Sequence, residues 1–472
     1  MSARRVAGAP LDFAALRQAL EVPGDFSSAA LDEAMQARAS PVPGGLPDET
    51  ALEFVTVDPP GSRDLDQALR LSRDGSGYRF DYAIADVAAF VRPGGALDAE
   101  VRTRGETLYF PDVRIPLHPP VLSEGAASLL PGEDRPAVLW TVLLDTSAGV
   151  RDVAVRRARV RSRSQLDYAG VQRSVASAQP DDPAALLVEV GELLLAESRA
   201  RHAIDLDLPD QEVEPAGDET WRIVLREQLP VEKYNAQLSL LVGRCAARIM
   251  LDAHVGILRT VPEPNDAMIR RLHQAATPLG VVWPAGARPG DVLAALDHHD
   301  PRHMAFLDHA ASLLRGAAYT AFDGAAPAIT DHAGIGAPYA HVTAPLRRLV
   351  DRFGTEVCLA VHAGTAVPDW ARAALPALPD LMHVADGRAH AADRAVVDMT
   401  EAWLLAGRLG DEFDAIVIEA GDGAATIVLA DPAVRARCDG AGLVPGSQIR
   451  ARLTQADVEA RTVRFSAVGA SG

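Results

Sequence analysis

Three aspartates lie close together early in the chain, in the segment Val-Asp-Pro-Pro-Gly-Ser-Arg-Asp-Leu-Asp-Gln-Ala. Asp64 and Asp66 are two residues apart and share a face in an extended segment, and the Pro-Pro-Gly turn lets Asp58 fold back toward them. Carboxylates this close repel one another, and a hard divalent cation such as Mg²⁺ relieves the repulsion through oxygen ligands. An acidic surface turn is the simpler interpretation. The apolar residues 51–57 before the cluster predict a buried strand, however, and this favours a site.

The aspartate segment resembles the first signature of the ribonuclease II and ribonuclease R family, the hydrolytic exoribonucleases. Ordered matches spread over most of a chain are far more specific than any single motif. The resemblance implies an α+β fold with an RNB-type catalytic domain. The further matches follow in the family's order along the chain: Ile84-Ala-Asp86, Arg104-Gly105, Tyr109-Phe110-Pro111, Leu122-Ser123-Glu124, Asp134-Arg135 and the block from Tyr339 to Arg352.

Two positions depart from the family pattern. Gln67 stands where the family has a fourth acidic residue, so one charged metal ligand is replaced by an amide oxygen that supplies no charge. Ala344 stands where the family has a serine, which removes one hydroxyl and keeps the arginines that follow it. Both changes bear on whether the site retains activity.

The resemblance implies phosphodiester hydrolysis that depends on Mg²⁺, with Mn²⁺ as the alternative cation. The metal ligands it implies are Asp58, Asp64, Asp66 and Gln67. Such an ion lowers the pKa of a bound water and stabilises the attacking and leaving oxygens. Asp66 and Asp64 are the expected catalytic carboxylates, Asp66 orienting the attacking water. Arg347 offers a fixed guanidinium to the charge that develops on the phosphoryl oxygens.

Three further residues are expected to contact RNA by the same resemblance. Tyr109 matches an aromatic that stacks on the base at the RNA 3′ end, a contact open to every base. Arg348 is expected to bind a neighbouring phosphate, and Glu232 is expected to contact the terminal ribose. Taken alone, these would be a core or turn aromatic, a surface arginine and an acidic residue on a helix surface.

A net charge of −18 argues at first against RNA as a partner. Binding depends on local charge, however, because a basic track displaces counterions from phosphates. Arginines alternate along residues 157–163 and would line one face of a strand. Arg157 and Arg159 are therefore candidate RNA contacts, and a solvated strand face explains the pattern equally well.

The sequence divides into three parts. Residues 1–48 predict short helices, either a helix-turn-helix unit or an arm packed on the main domain, in a length too short for the two cold-shock barrels that the family carries there. Residues 49–410 are the expected catalytic domain. Residues 411–472 turn to short strands separated by turns and predict an S1-like oligonucleotide-binding (OB) barrel, with a structural β-cap as the competing interpretation.

Composition indicates the size of the core and the cellular compartment. The chain of 472 residues is 48% hydrophobic and can bury a large core. We expect a monomer without a membrane span, and the three widely spaced cysteines fit a reducing cytoplasm. The His-rich residues 297–303 suggest a transition-metal site at first, but the aspartate motifs of a small-substrate phosphoesterase are not found upstream, so a polar loop is expected.

The function expected from the sequence is a Mg²⁺-dependent 3′→5′ exoribonuclease that releases nucleoside 5′-monophosphates. Its partners would be single-stranded RNA 3′ ends and, because the cold-shock barrels are missing, structured RNA as well. The alternative from another class is a catalytically impaired RNA-binding protein on the same domain, which Gln67 and Ala344 motivate. A small-substrate phosphoesterase is the third hypothesis.

Overall fold

The computed structural model of the chain describes residues 10–40, 42, 44–175, 177, 183–217, 220–429 and 431–469. The predicted strand that begins within 51–57 is present, and it ends at the first aspartate of the cluster. The strands are β1 (Phe54–Asp58), β2 (Gln67–Asp74), β3 (Gly77–Ala85), β4 (Leu108–Tyr109), β5 (Arg114–Ile115), β6 (Asp134–Leu144), β7 (Val150–Asp167), β8 (Asp210–Gly217), β9 (Thr220–Arg226), β10 (Val255–Thr260), β11 (Ala318–Asp323), β12 (Asp331–His332), β13 (Ala337–Pro338), β14 (Glu412–Gly421), β15 (Ala424–Leu429), β16 (Arg435–Asp439), β17 (Gln448–Asp457) and β18 (Thr462–Ala467).

Most of the helical residues follow the first group of strands, and the helix that precedes the second group is the longest one described. The helices are α1 (Phe13–Ala19), α2 (Ser28–Ala39), α3 (Ala96–Arg104), α4 (Tyr168–Val175), α5 (Pro183–Ala200), α6 (Pro230–Asp252), α7 (Asp266–Ala276), α8 (Pro289–Leu293), α9 (Pro301–Ala310), α10 (Leu349–His362), α11 (Asp369–Ala374) and α12 (Leu378–Leu405).

The first sheet closes into a five-stranded barrel in the order β1-β2-β3-β6-β7. Neighbouring strands pair antiparallel except β1 and β7, whose parallel pairing closes the barrel. Its strands carry the large side chains of Phe54, Phe80, Tyr82 and Trp140, each almost fully removed from water. Burial of such rings stabilises the barrel by about 25 cal/mol for each Å² of apolar surface. This core fixes the ends of β1 and β2, between which the aspartates lie.

Helices cover one side of this barrel. α10 packs on β7 and on α6, and α6 packs in turn on α5 and β10. α10 is buried along most of its length, so its start is held firmly against the barrel. The block that matches the family signature leads directly into α10.

The second sheet closes into another five-stranded barrel, in the order β14-β15-β16-β18-β17. Its core contains Val417, Ile427 and Leu453, and the rings of Phe413 and Phe465 meet edge to face with centroids 5.7 Å apart. The prediction of a C-terminal barrel is confirmed. α12 packs on β17 and β18, and it also contacts the hairpin β8-β9 and α1.

The N-terminal helices pack on the catalytic region, as in the arm interpretation. α1 inserts Phe13 and Leu16 into a cluster with residues of α12 and Phe110. α2 lies against α3, where Glu33 accepts hydrogen bonds from the backbone N–H groups of Ala96 and Leu97 at the start of that helix.

The His-rich segment forms a turn over residues 297–300, as the loop prediction requires, but α9 begins at Pro301, so residues 301–303 of the expected loop are helical. Asp300 caps α9 by accepting a hydrogen bond from the N–H of Arg302. Within the described ranges, no helix combines the length and the apolar character needed to cross a membrane.

Candidate active site

The loop between β1 and β2 presents the aspartates at one end of the first barrel. Leu65, which lies between Asp64 and Asp66, is fully buried, and its N–H donates to the Ser128 hydroxyl at 3.0 Å. Ser128 donates in turn to the carbonyl oxygen of Arg63 at 2.6 Å. Gly61 adopts the left-handed φ of +82° that the predicted turn needs. The loop is therefore anchored on both sides of Leu65, so Asp64 and Asp66 have fixed positions.

Asp66 joins two parts of the site that are 280 residues apart in sequence. Its Oδ1 accepts a hydrogen bond from the backbone N–H of Leu346 at 2.7 Å, and its Oδ2 lies 3.4 Å from Nε of Arg347. Asp66 as a whole residue is 4% exposed, and burial raises the pKa of its carboxylate to about 8 even though Arg347 opposes this change. The structure thus brings together the two residues that the sequence assigned to catalysis from opposite parts of the chain.

Asp58 ends β1 and is also largely withdrawn from water. Burial raises its pKa to about 6, with Arg347 opposing this and Asp64 adding to it. Its Oδ2 is buried and has no hydrogen-bond partner among the residues described. Such an oxygen costs roughly 1–3 kcal/mol if nothing satisfies it.

Asp64 is oriented toward the β4-β5 hairpin. It forms an ion pair with Arg114, and the Tyr109 hydroxyl lies 3.4 Å from its Oδ2. Arg114 was not predicted from the sequence. The hairpin pattern around Tyr109 could have indicated it, because Tyr109 and Arg114 are directly opposite in the two-stranded pairing.

The chemistry of Asp58 and Asp66 fits a divalent cation. Each is a desolvated carboxylate that interacts electrostatically with Arg347 and with Asp64. Oδ2 of Asp58 has no hydrogen-bond partner among the described residues. Across the described part of the chain, no group of three or more His, Cys, Asp and Glu side chains is arranged to hold a metal ion. Because their carboxylates are desolvated and Asp64 is paired with Arg114, Asp58 and Asp66 are the residues that would hold the cation, and Asp64 would join them only after leaving Arg114.

Both ends of the Gln67 side chain contact protein groups, and its predicted role as a metal ligand remains a prediction. Its Nε2 donates to the carbonyl oxygen of Thr343 at 2.7 Å, and its Oε1 accepts from the Tyr82 hydroxyl at 2.7 Å. The Tyr82 hydroxyl also lies 2.7 Å from Oγ of Ser239. Gln67 thus ties the segment before Arg347 to the barrel, and an aspartate could not donate this hydrogen bond.

Arg348 is held inside the protein. Its guanidinium donates twice to Asp351, at 2.5 and 2.8 Å, and Asp351 is fully buried. Asp351 also accepts from the N–H of Ala344 at 2.7 Å, so the pair fixes the turn that presents Arg347. This pairing gives Arg348 a structural role. Arg348 also lines a cavity beside Tyr109, and its expected phosphate contact remains a prediction.

Glu232 is occupied at the start of α6. Its Oε2 accepts from the N–H of Leu229 at 2.6 Å, and its other oxygen is ion-paired with Arg226. The carboxylate caps the helix, as a Glu in the first turn commonly does. Its expected ribose contact remains a prediction, and this geometry argues against it.

The alternating arginines of β7 are paired with carboxylates. Arg157 reaches Asp86 at 2.7 Å and also pairs with Glu356, while Arg159 reaches Asp48 at 2.5 Å. These pairs neutralise the track that was expected to bind RNA, so RNA contact by Arg157 and Arg159 also remains a prediction.

The fold and the site together define a class of protein. An α+β domain whose barrel end carries buried carboxylates and an arginine is followed by an oligonucleotide-binding type of barrel. The model of the RNB domain matches residues 48–354, and the model of the RNase II-type exonuclease C-terminal S1 domain matches residues 411–468. The chain belongs to the RNB family, the family of ribonuclease II and ribonuclease R.

Relatives in this family include two bacterial enzymes. Ribonuclease R of Escherichia coli is 28% identical over 325 residues, which are 65% of this chain and 39% of that protein. Exoribonuclease 2 of Vibrio parahaemolyticus is 28% identical over 237 residues, which are 48% of this chain and 34% of that protein. The chain thus spans well under half the length of these relatives.

Solved structures share the fold. RNase R of Mycoplasma genitalium matches with a TM-score of 0.84 at 17% identity, over 96% of this chain and 77% of that one. Yeast Ssd1, described as a pseudonuclease, matches with a TM-score of 0.67 at 14% identity, over 94% of this chain and 54% of that one. The same architecture therefore occurs in a ribonuclease and in a pseudonuclease.

Proposed function

We propose that this protein is a hydrolytic 3′→5′ exoribonuclease that degrades single-stranded RNA from its 3′ end to nucleoside 5′-monophosphates. The observation that carries the proposal is the meeting of Asp66 with Leu346 and Arg347. It places a buried carboxylate beside a guanidinium at the end of a barrel. This is the pair needed to orient a water and to stabilise a pentavalent phosphoryl group.

The chain's own residues have distinct parts in this reaction. Asp66 orients the attacking water, and Arg347, held at the start of α10, offers its guanidinium to the phosphoryl oxygens in the transition state. Tyr109 is 48% exposed, so its ring is free to stack on the terminal base without choosing among bases. A divalent cation, Mg²⁺ or Mn²⁺, bound at Asp58 and Asp66 would acidify the water and neutralise developing charge.

We extend the proposal to structured RNA and to a monomer in the cytoplasm. A structure of the Mycoplasma genitalium relative is of a complex with double-stranded RNA. Cys245, Cys358 and Cys438 are free and buried, which suits a reducing compartment.

A catalytically impaired RNA-binding protein is the second candidate. Arg114 pairs with Asp64, and Gln67 replaces an acidic residue while both ends of its amide contact protein groups. A protein whose cation site is weakened in this way would bind RNA ends without cutting them. The pseudonuclease with the same fold supports this alternative.

The deciding experiment incubates a 5′-labelled single-stranded RNA with Mg²⁺ and resolves the products on a denaturing gel. The proteins compared are the wild type, Asp66→Asn and the control Asp152→Asn, which changes an exposed aspartate on β7. A ladder that shortens from the 3′ end, absent only with Asp66→Asn, supports the proposal. Intact RNA that shifts on a native gel supports the impaired binding protein.

A further inference from the structure

The β4-β5 hairpin, which carries Tyr109, is too small to hold its own position. Its strands pair at two positions, Leu108 with Ile115 and Tyr109 with Arg114. A single two-stranded hairpin is at best marginally stable in water, and the strands of this one are shorter than ordinary strands. The position of the hairpin must therefore come from the elements that pack against it.

The two faces of the hairpin have different surroundings. Leu108 and Phe110 are buried in a hydrophobic cluster, whereas Tyr109 between them is 48% exposed. Successive side chains of an extended segment point to opposite faces, so this alternation is expected of a strand with one covered face. The covered face anchors the hairpin, and the opposite face presents Tyr109 to the place proposed for the terminal base.

Two helices cover the buried face. α12 contributes apolar side chains from residues 392–399, and α1 contributes Phe13 and Leu16. The ring of Phe13 also meets the ring of Trp221 edge to face, with centroids 5.1 Å apart. Because Trp221 belongs to β9, α1 is itself fixed against a second hairpin. α1 is thus a firm support for the hairpin that carries Tyr109.

Arg17, in the last turn of α1, attaches this helix to the tip of the hairpin. Its Nη1 donates to Oδ1 of Asp112 at 2.6 Å, and its guanidinium carbon lies 5.3 Å from the centre of the Phe110 ring. Both members of the ion pair are partly buried, so solvent screens their attraction less than in a fully exposed pair. The ring adds a cation–π attraction. One side chain of α1 therefore contacts both the turn and the covered face.

The attachment to α1 is independent of the carboxylate cluster. On the site side, the hairpin is held by the ion pair of Arg114 with Asp64 and by the Tyr109 hydroxyl, 3.4 Å from the same carboxylate. A cation that draws Asp64 away from Arg114 weakens both contacts. The contacts of Arg17 involve no residue of the cluster, so they persist when the cation is bound.

We propose that Arg17 is a positioning residue for the RNA 3′ end: from α1 it holds the β4-β5 hairpin so that Tyr109 faces the terminal base. This role rests on the proposed function, because it requires that base to stack on Tyr109. Arg17 acts through the hairpin and not through contact with RNA. α1 lies outside residues 48–354, which match the RNB domain, so the N-terminal segment gains a part in binding the substrate.

The first measurement is hydrogen exchange by mass spectrometry on the full chain without RNA. Arg17→Gln removes the ion pair and the cation–π contact, so we expect the backbone amides of residues 108–115 to exchange about three to tenfold faster. Arg92→Gln is the matched control, because it breaks an ion pair with Glu33 on α2, the other N-terminal helix, and should leave these amides unchanged. Arg17→Glu combined with Asp112→Arg reverses the ion pair and should restore part of the protection that Arg17→Glu alone loses.

The second measurement is RNA binding in the full chain carrying Asp66→Asn, so that cleavage does not enter. Fluorescence anisotropy compares oligoribonucleotides that end in an ordinary nucleotide or in an abasic ribose. We expect Arg17→Gln to weaken binding of the ordinary end by about threefold and that of the abasic end by less than about 1.5-fold. When Tyr109→Ala has removed the stacking ring, Arg17→Gln should have no further effect, because two residues that act through one contact are not additive.

Several outcomes would overturn this role of Arg17. These are unchanged exchange of residues 108–115 in Arg17→Gln, equal weakening for ordinary and abasic ends, or losses that add when Arg17→Gln is combined with Tyr109→Ala. If the wild type binds RNA ends with this dependence on the terminal base but cuts none, the exoribonuclease proposal fails while the role of Arg17 stands. If it cuts RNA and Tyr109→Ala weakens binding but Arg17→Gln changes nothing, the reverse holds.

Discussion

Arg114 neutralises Asp64 through an ion pair at the candidate active site. Arg114 stands opposite Tyr109 in the β4-β5 hairpin, and the Tyr109 hydroxyl lies 3.4 Å from the second oxygen of the same carboxylate. The hairpin with the exposed aromatic is therefore attached to the carboxylate cluster. A cation that approaches Asp64 must compete with Arg114, so metal binding and the position of Tyr109 are linked.

The first prediction concerns this competition. Arg114→Gln removes a positive charge beside Asp64, so a divalent cation should bind about three to tenfold more tightly. The measurement is titration of the metal-free protein with Mn²⁺, followed by the electron paramagnetic resonance signal of the free ion. Arg151→Gln, which breaks an ion pair with Asp74 on the barrel surface, is the control and should change nothing. Unchanged or weaker binding by Arg114→Gln would show that Asp64 takes no part in holding the cation.

The second prediction follows from the buried carboxylate of Asp66. Its folded-state pKa of about 8 lies above the ordinary value of 3.8, so above pH 4 the unfolded chain loses this proton while the folded protein keeps it. The stability due to this group is present in full below pH 4 and is lost as pH rises through 8. Asp66→Asn avoids the loss, so its Tm should rise relative to that of the wild type between pH 5 and pH 8. The difference in the free energy of unfolding should grow by the order of several kcal/mol over this range.

The measurement is thermal unfolding in EDTA at a series of pH values, with Asp152→Asn as the control. Other groups titrate in the same range, but they are common to both proteins and cancel in the difference. Adding Mg²⁺ should reduce the advantage, because the cation stabilises the ionised wild-type site. A difference in Tm that stays constant from pH 5 to pH 8 would contradict the assigned burial of charge.

The third prediction separates two roles for Gln67. Gln67→Met keeps the approximate size of the side chain but loses the hydrogen bonds to Thr343 and Tyr82, so the free energy of unfolding should fall by about 1–3 kcal/mol. The affinity for the cation should stay within about twofold of the wild type. Denaturant unfolding and Mn²⁺ titration check the two quantities. A tenfold loss of cation affinity would restore Gln67 as a metal ligand.

The site could be predicted from sequence only where residue types recur in an ordered pattern. The aspartates and the block containing Arg347 were identified in this way. Their contact through Asp66 was implied by the resemblance, since no local periodicity relates positions so far apart. The strands were visible as apolar runs. The closure of the first barrel through parallel pairing of β1 with β7 was not, because register between distant strands is absent from the local pattern.

The roles that the sequence missed depend on which charges become neighbours. Arg114 follows the recognised motif around Tyr109, yet only the folded hairpin shows that it faces Asp64. Glu232 is different, because its cap was readable: Pro230 at the first helical position, followed by Glu232 in the first turn, is a signal for a helix start.

The fourth prediction tests the arginine face of β7. Arg157 lies between Asp86 and Glu356, and both carboxylates are buried. Arg157→Gln leaves them without their cation, so the free energy of unfolding should fall by a few kcal/mol. The more exposed pair of Arg159 with Asp48 is worth less, and Arg159→Gln should cost under about 1 kcal/mol. Denaturant unfolding measures both losses.

The same two variants also test whether Arg157 and Arg159 contact RNA phosphates. Since both arginines already have carboxylate partners, neither variant should alter the affinity for single-stranded RNA or its dependence on salt. Fluorescence anisotropy over a range of salt concentrations checks this, with Arg347→Gln as the variant expected to weaken binding. A phosphate contact would show itself as uniformly weaker binding and a salt slope smaller by about 0.7 per arginine removed. That result for Arg157→Gln would mean that RNA displaces Asp86 and Glu356, and that the β7 face is part of the RNA path after all.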